Sequence, residues 1–404
     1  MEIQRTGFSF RLEPNPGQAR LLRQAIGSAR WVWNRGLQSQ KERYQADQPN
    51  LGYSKLCAKL TTWKQEFPWL AGPTAQTLQQ KLKDLNQAFS NFFQNPGHFE
   101  PPTFKRKADG GSIRYPQGFH LDNANGRVFL PKIGWVPYRK SRNVTGTPKN
   151  VTIGFRNSRF SVSIQTEQEV EIPIHPHKDA AVGIDLGIVN HTTLFDGQEG
   201  HSCPGPKALT QRQRKIARLQ RQLSRKKKFS QNWKKQKIRI ARAHHQISNI
   251  RHDHLHKLST TIAKNHSVVV IEDLQVANMS HSAKGTIETP GKNVRAKAGL
   301  NRSILDQGWS KFRSLLEYKV HRSGGRLIAV PAQHTSQQCP KCQYVSQDNR
   351  KTQARFACVQ CGFEENADVA AAMNILAAGQ AVIACGGHPI AGPLNQEPPV
   401  SLAA

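Results

Sequence analysis

Ala181-Val182-Gly183-Ile184-Asp185-Leu186-Gly187-Ile188 sets a single carboxylate inside an otherwise apolar run. A run of this kind reads as a strand buried on both faces. An ionised Asp there is expensive to desolvate unless something positive compensates it. Thr192-Thr193-Leu194-Phe195 follows as a hairpin partner, and a second apolar run, Val268-Val269-Val270-Ile271, ends at Glu272-Asp273. Glu272 thus emerges at a strand end, where Asp185 of a neighbouring strand can converge with it. A divalent cation compensates such acids while organising phosphodiester chemistry, and two ions about 3.5 to 4 Å apart activate a water and stabilise the leaving oxygen. A lone strand acid is equally compatible with a structural role. A third acid, Asp368, opens the strongly helical, alanine-rich stretch 366–376, where it is either a further ligand or a capping group favoured by the helix dipole.

Outward from these runs, the chain changes character twice. Residues 207–251 contain many Lys and Arg and no Asp or Glu. Leu219, Leu223, Ile238, Ile240 and Ile247 give the segment helical patterning, so it reads as a basic helical hairpin with Lys226, Lys227 and Lys228 near its bend. That face either contacts phosphates or is simply solvated. Further on, Cys339-Pro340-Lys341-Cys342 and Cys358-Val359-Gln360-Cys361 form two Cys-x-x-Cys pairs with the spacing of a tetrahedral Zn²⁺ ribbon. Four thiolates leave no open coordination position, so this zinc is structural. Cys57, Cys203 and Cys385 are isolated and read as packing or surface residues.

The first half reads differently. Residues 3–12 alternate like a strand, and Asn15-Pro16 offers an N-cap with proline at the first helical position. Apolar stripes through Leu22, Ile26, Ala29, Trp33 and Leu37, then Leu78, Leu82, Leu85, Phe89 and Phe92, predict helices across most of residues 16–95. After a Pro-rich break comes the basic knot Lys105-Arg106-Lys107, a candidate nucleic-acid contact, and then short strands such as 127–130 and 160–164. The expectation is a small barrel interrupted by a helical insertion. The whole chain has 404 residues, enough for several structural units, and carries 58 Lys plus Arg against 27 Asp plus Glu, a formal charge of +31. Such an excess calls for a polyanionic partner or is tolerated as self-repulsion; nucleic acid is the obvious partner, although ribosomal and membrane-surface proteins share the trait. No stretch approaches the roughly 18 apolar residues of a membrane span and no secretory signal opens the chain, so a cytosolic, nucleoid-associated protein of a bacterium or archaeon is expected.

The ordered set Gly183-Ile184-Asp185-Leu186-Gly187, Ile271-Glu272-Asp273-Leu274, Thr335-Ser336-Gln337, the two cysteine pairs, and Asp368 followed by Asn374-Ile375 closely resembles the TnpB family. These insertion-sequence proteins are similar to the type V CRISPR effector nucleases. The resemblance spans nearly the whole chain, from Trp31-Val32-Trp33-Asn34 to the tail at Ala384-Cys385-Gly386-Gly387 and Gln396-Glu397-Pro398. It implies an α+β multidomain protein: a wedge β-barrel in two parts (1–15 and 97–178), a helical recognition lobe (16–96) and an RNase H-like RuvC nuclease domain (179–334) carrying the basic hairpin (205–257). A zinc ribbon (335–364), a final RuvC helix (365–380) and a C-terminal tail (381–404) would follow. It further implies an RNA-guided endonuclease, one protein per transposon-derived guide RNA, cutting double-stranded DNA beside a short motif, with Mg²⁺ (two ions, or Mn²⁺) held by Asp185, Glu272 and Asp368. One departure is Ala370, where the family commonly has Asn; it removes no charged ligand. A guide-dependent repressor, a transposition accessory factor and a strand-joining transposase are the competing functions.

Overall fold

The computed structural model describes residues 1–385 and divides into two compact units that part between Glu171 and Ile172. The expected tail, 381–404, lies mostly outside the described residues.

The first unit opens with β1 (Glu2–Leu12), whose inner face is buried at Phe8, Phe10 and Leu12. Helix α1 (Pro16–Gln45) starts as the sequence dictates. The Asn15 side chain accepts from Gln18 N at 2.8 Å, the Gln18 side chain returns to Asn15 N, and Pro16 occupies the first turn. Helices α2 (Tyr53–Glu66) and α3 (Ala75–Gln94) follow. The strands β2 (Gly111–Tyr115), β3 (His120–Asp122), β4 (Arg127–Leu130), β5 (Gly134–Pro137), β6 (Thr147–Arg156) and β7 (Arg159–Val170) complete the unit. They form an antiparallel sheet in the order β1-β7-β6-β2 and a meander β3-β4-β5, bridged at Leu12 and Tyr138. Strand β1 therefore pairs with a strand more than a hundred residues away, and the helices are an insertion in sequence. They are not a separate body in space, because Leu22, Ile26, Leu56 and Leu78 share one apolar core with Phe10, Ile113, Val151 and Ile164.

The second unit is built on five strands: β8 (Ala181–Asp185), β9 (Asn190–Phe195), β10 (Gly200–Pro204), β11 (Val268–Glu272) and β12 (Arg326–Val330), in the order β10-β9-β8-β11-β12. β8, β11 and β12 run parallel, with β9 and β10 as antiparallel additions at one edge. Between β10 and β11 the chain makes α4 (Ala208–Ser224) and α5 (Gln231–Asn265). α5 runs past the expected end at 257 because Leu255, Ile262 and Ala263 are buried with Val182, Ile184, Val269 and Ile271 on one face of the sheet. The short α6 (Val276–Met279), α7 (Val294–Gln307) and α8 (Trp309–Arg322) lead to β12, and α8 adds Phe312, Leu315 and Leu316 to that same core. A small antiparallel pair, β13 (Arg355–Ala357) and β14 (Glu364–Asn366), precedes α9 (Ala367–Ala384).

α9 covers the opposite face, with Ile375 and Leu376 against Val270, Ile328 and Val330. Its 18 residues, mean hydropathy 1.5, are long and apolar enough to cross a membrane by length and composition alone, so the expectation that no stretch qualifies was wrong. The physical reason is the alanine run, which makes a core helix apolar around most of its circumference; here one side is taken up by the sheet.

Candidate active site

Strand alternation carries the next step. Val182 and Ile184 of β8 point into the α5/α8 layer, so Gly183 and Asp185 face α9. Gly183 permits that helix to come close: a β-carbon built there would stand 2.3 Å from Ala372 O and 2.8 Å from Leu376 Cβ. One strand period beyond Gly183 is Asp185; one helical turn before Ala372 is Asp368. Both steps run to the same end of the contact. On β11, Val270 meets α9 at Gly379, where a β-carbon would lie 2.4 Å from the Val270 side chain, and two residues on comes Glu272. The parallel register pairs Val270 with Gly183 and Ile271 with Ile184, so Glu272 and Asp185 are the next neighbours at the strand ends.

Asp185 feels both other acids. Burial, then the Glu272 and Asp368 carboxylates, push Asp185 up to about 7, against the opposing pull of Arg350 and the Leu186 backbone N–H. Glu272 is 8% exposed and is also raised, by burial first, with relief from the Thr335 hydroxyl, which donates to Oε1 at 2.6 Å, and from Arg350. Asp368 does not cap α9. That position belongs to Asn366, whose side chain accepts from Asp368 N at 2.9 Å and Val369 N at 3.3 Å. The Asp368 carboxylate instead accepts from Arg350 Nη2 at 3.2 Å. Asp273, next to Glu272, is drawn off into an ion pair with Arg313.

Arg350 and Thr335 were not anticipated as site residues. Arg350 ends a 3₁₀ turn, Gln347–Arg350, inside the cysteine-bearing segment. A short irregular turn shows no periodicity that would aim its guanidinium, so only the isolated cation was visible. Thr335 lies in the triplet before the first cysteine pair, and Asn374 of α9 fixes that segment by donating to Thr335 O at 2.8 Å and Gln338 O at 2.7 Å.

The four cysteines form a second centre. Cys339 Sγ to Cys361 Sγ and Cys342 Sγ to Cys358 Sγ are each 3.6 Å apart, and all four ligand atoms lie within 4.8 Å of one another. A tetrahedral zinc with Zn–S of about 2.3 Å requires sulfur separations of roughly 3.8 Å, so the cage fits that ion. The two pairs are built alike. Gln343 N donates to Cys339 O and Gly362 N to Cys358 O, and both Gln343 (φ 63°) and Gly362 (φ 70°) are left-handed. Cys339, Phe356 and Cys358 pack with Ala367 and Ala370 of α9. Ala370, the departure from the family pattern, is therefore part of the apolar contact between this segment and the helix that carries Asp368.

Among the described residues these thiols are the one cluster gathered within single-ion distance. The three carboxylates are set wider, and their donor chemistry, hard anionic oxygens with one acid driven towards neutrality, fits Mg²⁺ or Mn²⁺. The basic residues separate by environment. Lys105 Nζ sits 3.4 Å from the centre of the Trp33 ring, Trp33 Nε1 donates to Thr103 O, and Asn34 brackets Lys105 through both its backbone N and O. Lys105 thus holds the chain against α1 by a cation–π contact. Arg106 pairs with Asp109 in an exposed ion pair and Lys107 is exposed. Lys227 and Lys228 are exposed and Lys226 half-buried at the bend between α4 and α5.

The family described as a probable transposase of the OrfB_IS605 type matches residues 162–283, a Cas12f1-like TNB domain matches 309–375, and a helix-turn-helix domain of the same OrfB family matches 1–49. In that last segment the structure has a strand and one long helix. The chain is 48% identical over 394 residues to the putative RNA-guided DNA endonuclease InsQ of Escherichia coli K12, covering 97% of this chain and 96% of InsQ. It is 34% identical to a putative RNA-guided DNA endonuclease of Streptomyces pristinaespiralis, covering 96% and 92%. Solved structures that align include a Cas12f1–sgRNA–target DNA complex (15% identity, TM-score 0.34, 92% of this chain and 99% of that one) and the mini-RNA-guided endonuclease Cas_phi3 (11%, TM-score 0.40, 96% and 94%). On its near full-length identity to InsQ and its match to the OrfB_IS605 family, the chain belongs to the TnpB family, related to Cas12f.

Proposed function

We propose that this protein is an RNA-guided DNA endonuclease of a transposable element, cutting target DNA beside a short adjacent motif at a RuvC-type site. The observation that carries the reading is the meeting of Asp185, Glu272 and Asp368 at one end of the β8–β11–α9 contact, supported by near full-length identity to InsQ. In this reading the five-stranded sheet with α9 is the RuvC core (179–334 and 365–380), the cysteine segment (335–364) is a structural zinc ribbon, and the first unit comprises the wedge (1–15 and 97–178) and the recognition helices (16–96). The bound polyanions are one transposon-derived guide RNA per protein and double-stranded DNA, in the cytosol at the nucleoid; a +31 chain suits both.

Asp185, Glu272 and Asp368 would hold Mg²⁺ or Mn²⁺, two ions in this reading, which when bound would supply Lewis acidity towards a phosphate and make a water more acidic. The protein's own residues prepare the place. Asp185, Glu272 and Asp368 provide the anionic oxygens; Thr335 fixes the Glu272 rotamer through its 2.6 Å hydrogen bond. Arg350 brings a permanent cation to the edge where a scissile phosphate carries negative charge. Guide pairing supplies sequence specificity, leaving the protein to read backbone shape and the adjacent motif.

The test is plasmid cleavage by the purified protein with its co-purified guide RNA. Wild type should cut DNA complementary to the guide, leaving 5′-phosphate and 3′-hydroxyl ends, and should stop in excess chelator. Asp185→Ala should retain RNA and lose cutting. Cutting by Asp185→Ala at the wild-type rate, or cutting by wild type in chelator, would overturn the assignment in favour of another nuclease centre. RNA-dependent DNA binding without cutting would favour the repressor function.

A further inference from the structure

The bend between α4 and α5 carries an aromatic platform that the nuclease chemistry does not use. Phe229 is 68% exposed and its backbone is left-handed, φ 68°, a conformation uncommon for a bulky residue. Ser230 caps α5 by accepting from Trp233 N at 3.2 Å, which sets the indole at the third residue of the helix. The two rings lie 5.5 Å apart, tilted by 58°. Lys228 Nζ is 5.7 Å from the centre of the Phe229 ring and Lys237 Nζ is 4.9 Å from that of Trp233. Lys226 and Lys227 adjoin, and no acid lies anywhere in 207–251.

A single exposed ring is ordinary on a protein surface. What sets this one apart is its company: a strained turn presents it, a second ring backs it, and every Asp, Glu, Lys or Arg of its own segment, 207–251, is a Lys or Arg. A partner must therefore be anionic and also offer a flat apolar face. Nucleic acid has both, but a duplex hides its base faces in the stack, whereas an unpaired nucleotide exposes them. Structured RNA carries such nucleotides in loops and ends even before any target is opened.

We propose that Phe229 and Trp233 form a stacking platform for an unpaired base of the bound RNA, with Lys226, Lys227, Lys228 and Lys237 holding the flanking phosphates. The proposal rests on the RNA-guided reading above and adds to it a specific contact. Stacking is insensitive to salt while phosphate contacts are not, which makes the two separable.

The experiment uses the purified protein–RNA complex. Photoreactive p-benzoylphenylalanine in place of Phe229 should crosslink to one or a few RNA nucleotides that chemical probing identifies as unpaired. Phe229→Ala should weaken retention of the co-purifying RNA about five- to a hundred-fold, the range expected for one stacked base, without altering the slope of affinity against salt; Phe229→Trp should restore retention. A crosslink to paired RNA, a crosslink to added target DNA alone, no crosslink, or wild-type retention by Phe229→Ala each overturns the proposal. A wild-type protein that carries no RNA overturns the RNA-guided reading itself.

Discussion

Burial and two neighbouring carboxylates hold Asp185 at about 7, against a usual value of 3.8. Because the folded value lies above the unfolded one, the fold favours the protonated acid. The associated stability is full below about pH 4 and is lost as pH rises through about 7. In chelator, Asp185→Asn should therefore melt higher than wild type at pH 8. The gain, at most about 4 kcal/mol at ~1.4 kcal/mol per unit, should shrink to less than half by pH 5. Adding Mg²⁺ at pH 8 should raise the melting temperature of wild type and leave that of Asp185→Asn nearly unmoved. Thermal melts at the two pH values check both statements; an Asn variant no more stable than wild type at pH 8 would deny the electrostatic conflict. Asp185 and Glu272 were legible because a carboxylate in or ending an apolar strand is anomalous. Asp368 was not: an acid in a first helical turn reads equally as a cap, and only the resemblance to a family singled it out. The packing of Lys105 on the Trp33 ring was not legible, because a basic triplet in sequence says nothing about a ring 72 residues earlier in the chain.

Between elements, α9 is the part that brings strand ends and cysteine segment together, and glycine lets it do so. A side chain at Gly183 collides first with the backbone oxygen of Ala372, which no rotamer change relieves. Gly183→Val should lift α9 from β8, displace Asp368 and cost about 1–3 kcal/mol or more. DNA cutting should fall by orders of magnitude while RNA is retained; a variant with wild-type melting and cutting would show that α9 does not set the acid spacing. The cysteine cage bears on the first turn of the same helix, through Ala367 and Ala370 and through the Arg350 contact to Asp368. Freshly purified protein should contain about one zinc, and Cys339→Ser should lose it, expose residues 335–366 to protease and depress cutting. Metal analysis with limited proteolysis decides this; zinc-free protein with an intact, protease-resistant segment would remove it. Periodicity revealed α1, α3 and the basic hairpin, because each presents an apolar stripe. It misjudged the end of α5, where the stripe passes from the α4 contact into the sheet core, and it passed over α9 as a membrane-length helix because a helix apolar around most of its circumference presents no stripe.

Across the whole molecule the governing fact is charge. A net +31 on 404 residues means that the folded chain repels itself. Ion pairs relieve little of this, since 58 cations face 27 anions, and several of those anions are committed to the candidate active site and its neighbours. Two consequences have opposite signs and can be separated in one experiment. Protein stripped of nucleic acid should melt at a higher temperature as salt rises from about 50 to 300 mM, because the Debye length shortens from about 14 Å towards 6 Å and long-range repulsion is screened. The protein–RNA complex should melt higher than the stripped protein at low salt, since a ligand that binds only the folded state adds stability by mass action. Its advantage should then decline as salt is added, because each neutralised phosphate costs affinity with a log–log slope of about −0.7 for single strands. The two curves should converge at high salt. Parallel curves would mean that the RNA is held by contacts other than phosphate neutralisation. A stripped protein destabilised by salt would mean that the cations are already paired within the fold, leaving the charge excess without the role assigned to it here.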